Sequence, residues 1–160
     1  MTAIIILSTT GEVFAANIPA GKVDSMANWC SQTLEPNLCN SIMTPLKSGT
    51  SEQAMRLAIR FTLDKFNLAM SNIESILKTS NDSMTKVVLE SCRRDYEMAI
   101  KDIKDSQKDN DIPLHFSAVI AMSQTCGDEM DARDLVIPFR DLTTNLNKLG
   151  GIVLALNSLR

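Results

Sequence analysis

Four cysteines are the residues of this sequence whose type and spacing point most directly to chemistry: Cys30, Cys39, Cys92 and Cys126. Four cysteines allow three pairings. The sequence has no C-x-x-C pair, and its single histidine cannot complete a zinc site of two cysteines and two histidines. Disulfides are therefore favoured over a structural metal.

The spacing of the cysteines favours one pairing. The short separation of Cys30 and Cys39, with Pro36 between them, fits a bridge inside one helical hairpin. This leaves Cys92 and Cys126 to join two later helices. By the chain-entropy account the shorter loop contributes about 2.7 kcal/mol of stability and the longer one about 3.8 kcal/mol. Four buried free thiols are the alternative, which an oxidising compartment disfavours.

Groups suited to acid–base or nucleophilic catalysis are few. A hydrolase triad needs a base beside its nucleophile, most often a histidine, and His115 is the one histidine. It lies at a predicted helix start without a placed partner, so we expect a surface or capping residue. Carboxylates three residues apart, such as Asp102 with Asp105 and Asp128 with Asp131, share a helix face. A solvated acidic face explains them more simply than catalysis. We therefore predict that the protein is not an enzyme and that it binds neither a metal nor a cofactor.

One modification motif is present. Asn81-Asp82-Ser83 is an N-x-S sequon in a predicted loop. In a secreted chain Asn81 is a plausible acceptor for an N-linked glycan. Sequons of three residues also arise by chance, so an unmodified Asn81 is the alternative.

Composition and charge exclude some classes of protein. The 160 residues carry a formal net charge of −3, whereas a nucleic-acid-binding protein should show a basic excess. Hydrophobic residues make up 44% of the sequence, enough for the core of one domain. No apolar run approaches the ~18 residues that a membrane-spanning helix needs. We therefore predict no nucleic-acid partner and no membrane partner.

The first residues resemble part of an export signal. An apolar run at residues 3–7 is followed by the small residues Ala15 and Ala16, as before a signal cleavage site. No lysine or arginine precedes the run, so a poorly ordered N-terminus is the alternative. We assign residues 1–18 to this segment and residues 19–160 to the folded domain, and we expect a secreted protein.

Helical signals dominate the rest of the sequence, and no convincing strand alternation occurs. Two short pieces, 23–33 and 37–46, form a predicted hairpin within residues 22–47. Thr50 and Gln53 read as a capping box that opens the next helix. Four long helices are predicted within residues 50–158, covering about 50–79, 84–106, 113–130 and a last helix from Pro138. Short links between them favour an all-α, antiparallel up-down-up-down four-helix bundle preceded by the hairpin.

Apolar periodicity predicts which residues face the core. The expected inner residues of the second long helix include Cys92 and Tyr96, which leaves Arg93 and Arg94 nearer the polar side. These arginines could contact a partner or form ordinary surface ion pairs, worth ~0–1 kcal/mol. The full inner sets are Met55, Ile59, Phe66, Ala69, Ile73 and Leu77; Val88, Cys92, Tyr96, Ala99 and Ile103; Ala118, Met122, Thr125 and Cys126; and Phe139, Leu142, Leu146, Leu149, Val153 and Leu156.

Four segments carry recognisable motifs. They are C-x-x-T-x-x-P-x-x-C at 30–39, L-x-x-C-x-x-x-Y-x-x-A-I at 89–100, S-A followed by T-C at 117–126, and the closing segment 149–156. Together and in this order they resemble the plant invertase and pectin methylesterase inhibitor family. The resemblance covers nearly the whole chain after residue 24.

The resemblance implies a fold and a function. It implies a four-helix bundle with an N-terminal hairpin, and Cys30–Cys39 and Cys92–Cys126 as the disulfides. It also implies an inhibitor of the plant cell wall or apoplast that binds pectin methylesterase one-to-one and covers its pectin-binding cleft. Inhibition of cell-wall or vacuolar acid invertase is one alternative. A non-inhibitory secreted bundle, such as a pollen protein or a detached pro-region, is another.

The pectin methylesterase branch is favoured. Invertase inhibitors often carry a Pro-Lys-Phe element near the start of the helix with the last disulfide cysteine, and this sequence has Ile112-Pro113-Leu114-His115-Phe116 there. One departure from that branch is Gly150, which stands where many pectin methylesterase inhibitors have a fifth cysteine. Gly150 and Gly151 lie in the last helix and indicate either a close helix contact or a kink.

By the same resemblance, the two helices that carry the second disulfide form the partner-binding face. We expect the contacts to come from Arg94, Asp95, Met98 and Asp102 on one helix and from Thr125, Asp128 and Glu129 on the next. Thr125 is favoured most because it belongs to the T-C motif. The alternative for Thr125 is a hydroxyl that bonds back to the preceding turn of its own helix.

Overall fold

The arrangement of elements is all-helical, as the sequence predicts. The computed structural model describes residues 29–46, 48–135 and 140–160, and within these ranges it contains five helices and no strand. They are α1 (Pro36–Met43), α2 (Ser51–Thr79), α3 (Ser83–Asp109), α4 (Ile112–Asp131) and α5 (Arg140–Asn157). The expected export signal, most of the first hairpin arm and Pro138 lie outside the described residues.

Side-chain caps fix where the first two long helices begin. The capping box predicted for α2 forms: the Gln53 amide N–H donates to Thr50 Oγ1 at 3.3 Å, and the Thr50 N–H donates to Gln53 Oε1 at 2.9 Å. Helix α3 is capped by Asp82, whose carboxylate accepts from the Thr85 N–H at 2.7 Å. Such caps satisfy backbone donors that have no partner inside the helix.

The tight turn between α3 and α4 depends on two polar residues. Asn110 ends α3 with a φ of 63°, in the left-handed region that asparagine tolerates better than most residues. Asp111 then caps α4 by accepting from the Leu114 N–H at 3.2 Å. The chain therefore reverses direction within two residues, and α3 and α4 pack as antiparallel neighbours.

The long helices pack in a closed ring. Contacts join α2 to α3, α3 to α4, α4 to α5 and α5 back to α2, and α1 packs against α2. This is the predicted antiparallel bundle with a short helical element before it. The buried core includes every residue predicted for the α3 inner face, together with Phe66, Phe116, Leu146, Leu149, Val153 and Leu156.

Tyr96 lies at the centre of this ring and is fully buried. Its ring meets Phe66 of α2 edge-to-face, with the ring centroids 5.2 Å apart. Its hydroxyl donates to Thr143 Oγ1 of α5 at 3.2 Å. Removal from water raises the pKa of Tyr96 to about 12. One side chain of α3 thus contacts two other helices, which fixes the relative rotation of all three.

The inner face of α4 differs from the prediction. The buried residues are Ile112, Phe116, Val119, Ser123, Cys126 and Met130, spaced four or three apart. Of the predicted set only Cys126 is buried; Ala118 and Met122 are half-buried and Thr125 is exposed. Neighbouring residues of a helix point about 100° apart, and with Cys126 bonded to Cys92 in the core, Thr125 lies on the exposed side of α4.

The two disulfides have the predicted partners. Cys30 bonds Cys39 with a Cα–Cα distance of 5.4 Å, and Cys92 bonds Cys126 with a Cα–Cα distance of 4.9 Å. All four residues are buried. The first bridge ties α1 to the segment before it, and the second joins α3 to α4.

Gly150 marks a close approach of α4 and α5, one of the two possibilities that the sequence left open. A Cβ atom at this position would lie 2.5 Å from Cγ1 of Ile120. At Gly151 nothing lies within 4 Å of such an atom. The two adjacent glycines therefore differ: the first is required by packing and the second is not.

These surroundings predict opposite effects of the same substitution. Gly151→Ala should raise the free energy of unfolding by about 0.5–1 kcal/mol, because alanine favours the helix. Gly150→Ala should lower it by about 1 kcal/mol, since the cost of overpacking, typically about 1–3 kcal/mol, exceeds the gain in propensity. Urea unfolding of both variants measures the difference, and stabilisation by Gly150→Ala would contradict the close contact.

Candidate functional site

The described parts of the chain offer little for a catalytic centre. They hold no group of three or more histidine, cysteine, aspartate or glutamate side chains placed to bind a metal ion. No helix in them is both long and apolar enough to cross a membrane. The residues that the sequence predicts for partner binding lie on α3 and α4.

The Cys92–Cys126 bridge positions these two helices. Three contacts, one after another along the helices, join α3 and α4. Ser91 Oγ donates to Glu129 Oε1 at 3.3 Å, Cys92 is bonded to Cys126, and Asp102 Oδ1 lies 2.9 Å from His115 Nδ1. Residue numbers rise along α3 as they fall along α4, which is the antiparallel order. The two helices therefore present their outer flanks side by side.

Six of the seven predicted residues, all but Asp128, lie along this junction, and one of them, Asp102, is already paired with His115. Arg94 and Met98 of α3 and Thr125 of α4 are exposed, whereas Asp95 and Glu129 are half-buried between the helices. We call the surface formed by these five residues the α3–α4 face.

Asp95 is the most unusual group of the α3–α4 face. Its Oδ2 atom is buried and has no hydrogen-bond partner among the described residues. Burial raises the pKa of the Asp95 carboxyl, the charge of Glu129 raises it further, and Arg94 acts in the opposite direction. An unsatisfied carboxylate oxygen costs stability, and a donor from outside the chain would remove that cost.

The adjacent arginines take different roles. Arg93 donates to Glu90 and Glu97, each at 2.9 Å, and both pairs are of the ordinary helix-surface kind. Arg94 is exposed and forms no ion pair with the described residues. Of the two possibilities that the sequence left open, intrachain pairing thus applies to Arg93, and Arg94 is the one available to a partner.

Thr125 forms a hydrogen bond to the preceding turn of its own helix, which was the alternative to partner binding. Its hydroxyl donates to the Ala121 carbonyl at 3.0 Å. The residue is nevertheless exposed, and the hydroxyl oxygen can still accept a hydrogen bond from outside.

Asp128 and Asp102 lie away from the centre of the α3–α4 face. Asp128 is exposed but turns toward α5, where it lines a small polar depression with Ser123 and Thr143. Asp102 is engaged by His115, so its carboxylate already has a partner within the chain.

The structure corrects the expectation that His115 is a surface or capping residue. Its side chain is 12% exposed and bridges two carboxylates of α3, with Nδ1 2.9 Å from Asp102 and Nε2 2.9 Å from Asp109. A neutral imidazole has one N–H donor, so both contacts are satisfied together only by the imidazolium. The contact with Asp109, and then that with Asp102, raises the pKa of His115.

Sequence reasoning missed two exposed apolar residues of α3. Val87 is 61% exposed and Met84 is 46% exposed, compared with 49% for Met98. Both lie near the start of α3, about 16 Å or more along the helix from Met98, with polar residues such as Ser91 and Arg94 between. The sequence could have indicated them, because both residues are apolar but fall outside the inner set predicted for α3.

Known protein families include one whose model matches most of this chain. The model of the family described as plant invertase/pectin methylesterase inhibitor matches residues 24–156. Comparison with curated protein sequences finds no match.

Solved structures share the fold. A mutant form of a pectin methylesterase inhibitor from Arabidopsis is 21% identical, with a TM-score of 0.74 over 85% of this chain and 97% of that one. A pectin methylesterase inhibitor from Arabidopsis thaliana is also 21% identical, with a TM-score of 0.64 over 84% of this chain and 94% of that one.

The His115 bridge predicts a pH-dependent contribution to stability. Because its folded pKa lies above the ordinary value of 6.5, the contribution is complete below that value and is lost as the pH rises through the folded pKa. The melting temperature should therefore fall over a pH series from about 5 to about 8, and less so in a His115→Gln variant. Equal slopes for the two proteins would show that the bridge does not contribute.

Proposed function

Since this chain belongs to the plant invertase/pectin methylesterase inhibitor family, we propose that it inhibits pectin methylesterase by forming a non-covalent one-to-one complex. The α3–α4 face would lie over the pectin-binding cleft of the enzyme and exclude the substrate. The family consists of inhibitors rather than enzymes, in agreement with the prediction that this chain is not an enzyme.

One observation carries the choice of surface: the Oδ2 atom of Asp95 is buried between α3 and α4 and has no hydrogen-bond partner in the part of the chain that the structure describes. A basic or amide side chain of the enzyme would supply the missing donor. Glu129 adds negative charge beside Asp95, and Arg94 offers a cation at the edge. A partner with complementary charges would thus be held in one orientation.

Apolar contacts would supply the binding free energy at the same place. Met98 is 49% exposed and Val87 is 61% exposed on the outer side of α3. Exposed apolar side chains next to polar ones resemble the composition of protein interfaces, which have an apolar core and a polar rim.

The extent of the surface suits a protein partner. Residues 87–102 of α3 span about 22 Å at 1.5 Å per residue, and two helices side by side span about 20 Å. A standard interface buries roughly 800 Å² on each partner. By these dimensions the α3–α4 face and the adjoining turns of the two helices cover about half of that area in projection, and Asp102 and Asp128 would lie at its margins.

The proposed location is the plant apoplast. Two buried disulfides among the described residues fit an oxidising, extracellular compartment. The bundle they lock would offer a preformed surface, which reduces the ordering cost of binding.

The direct test measures enzyme activity. Purified protein is mixed with plant pectin methylesterase and, separately, with cell-wall and vacuolar acid invertase. Loss of pectin methylesterase activity at a one-to-one ratio supports the proposal. Loss of invertase activity alone would assign the protein to the sister function, and loss of neither would favour a non-inhibitory bundle protein.

A matched pair of substitutions tests the choice of face. Met98 on α3 and Leu68 on α2 are exposed to nearly the same extent, 49% and 47%, but lie on different sides of the ring of helices. Met98→Glu should weaken inhibition at least about tenfold, as truncation of a central interface residue does. Leu68→Glu should leave inhibition within about twofold.

Thermal melting of both variants checks that they fold. Little change in melting temperature is expected, because both residues are exposed on a helix. Full inhibition by a stable Met98→Glu variant would place the face elsewhere. A variant with both Thr125→Ala and Asp128→Lys extends the test to α4, where we expect inhibition several-fold weaker than that of the unmodified chain.

A further inference from the structure

We propose that Asn81 is an N-glycosylation site of the exported protein, an inference that rests on the secretion contained in the proposed function. The donor is a lipid-linked oligosaccharide of the secretory compartment. The bond between sugar C1 and the lipid diphosphate breaks, a bond from C1 to Asn81 Nδ2 forms, and one amide proton leaves with the diphosphate. The product is a glycan attached to the loop between α2 and α3.

The sequence offers one acceptor. Asn81-Asp82-Ser83 is the one N-x-[ST] triplet in the 160 residues. Any N-linked glycan with this recognition rule is therefore assigned to Asn81 without ambiguity.

The structure leaves the acceptor amide accessible. Asn81 is exposed in the loop that follows the end of α2 at Thr79. Its side chain makes no hydrogen bond with any residue that the structure describes. Ser83, the third residue of the sequon, is exposed as well at the first position of α3.

Other residues hold the loop in place. Ser80 Oγ accepts from the Asp82 N–H at 3.2 Å, and the Asp82 carboxylate accepts from the Thr85 N–H at 2.7 Å. The Ser80 N–H donates to the Ile76 carbonyl at 2.8 Å and closes α2. A glycan on Asn81 thus breaks no internal contact, and the fold should accept it without loss of stability.

The position also defines what the glycan would shield. From Ser83 to Asp95 the helix rises about 18 Å at 1.5 Å per residue. A glycan on Asn81 would therefore lie at the start of α3, near the exposed Met84 and away from Asp95 and Met98. We expect it to leave the five residues of the α3–α4 face accessible, and inhibition therefore in place.

The experiment expresses the full chain behind a secretion signal in a glycosylating plant or yeast host. The unmodified chain and a Ser83→Thr variant, which keeps the sequon, should show the mass of one glycan, removable by an amidase specific for N-linked glycans. Asn81→Gln and Ser83→Ala should both lack it. Both the medium and the membrane-enclosed fraction are analysed, because the glycan is added before export.

If the chain without substitutions has the mass of a protein without a glycan in both fractions, the proposal is overturned. Pectin methylesterase inhibition is measured on the same preparations and should agree within about twofold between glycosylated protein and Asn81→Gln. If the chain is glycosylated and neither it nor Asn81→Gln inhibits, the proposed function is refuted and the glycosylation of Asn81 stands. An inhibitory chain without a glycan would refute the glycan alone.

Discussion

The bond between Cys92 and Cys126 is the constraint on which the outer surface of this bundle depends. It is buried in the core and holds the two Cα atoms 4.9 Å apart. A covalent link at that separation fixes both the register and the rotation of α3 against α4. Antiparallel packing alone would allow the helices to slide or turn, and the flanking residues would then lose their alignment.

The rotation imposed by the bridge determines which side chains reach solvent. With Cys126 turned inward, Phe116, Val119 and Met130 fill the core and Thr125 points outward. On α3, burial of Cys92 and Tyr96 brings Asp95 to the junction and leaves Met98 outside. The close approach of α4 to α5 at Gly150 supports the same arrangement from the other side. Any side chain larger than glycine there would meet Ile120.

Two carboxylates on the same flank of α3 have opposite surroundings. Asp102 is matched by His115, which also holds Asp109 and so joins the end of α3 to the start of α4. Asp95 has no such partner among the described residues, and burial and Glu129 raise its pKa. The first pairing contributes to the fold, whereas the second leaves an acceptor that a binding partner can satisfy. Buried polar groups without partners are uncommon in folded proteins and often occur where a protein acts.

Residue patterns along the chain were enough to predict the helical class, the start of α2 at its capping box, the inner set of α3 and the pairing of the cysteines. Each depends on neighbours in the chain or on a few spaced motifs, which periodicity and local hydrogen bonding report directly. Helix packing set the inner face of α4, the pairing of His115 with Asp102 and Asp109, the different demands on Gly150 and Gly151, and the lack of a partner among the described residues for the buried oxygen of Asp95. Those features depend on how far one helix turns against another, and a packing rotation set by long-range contacts leaves no trace in local residue spacing.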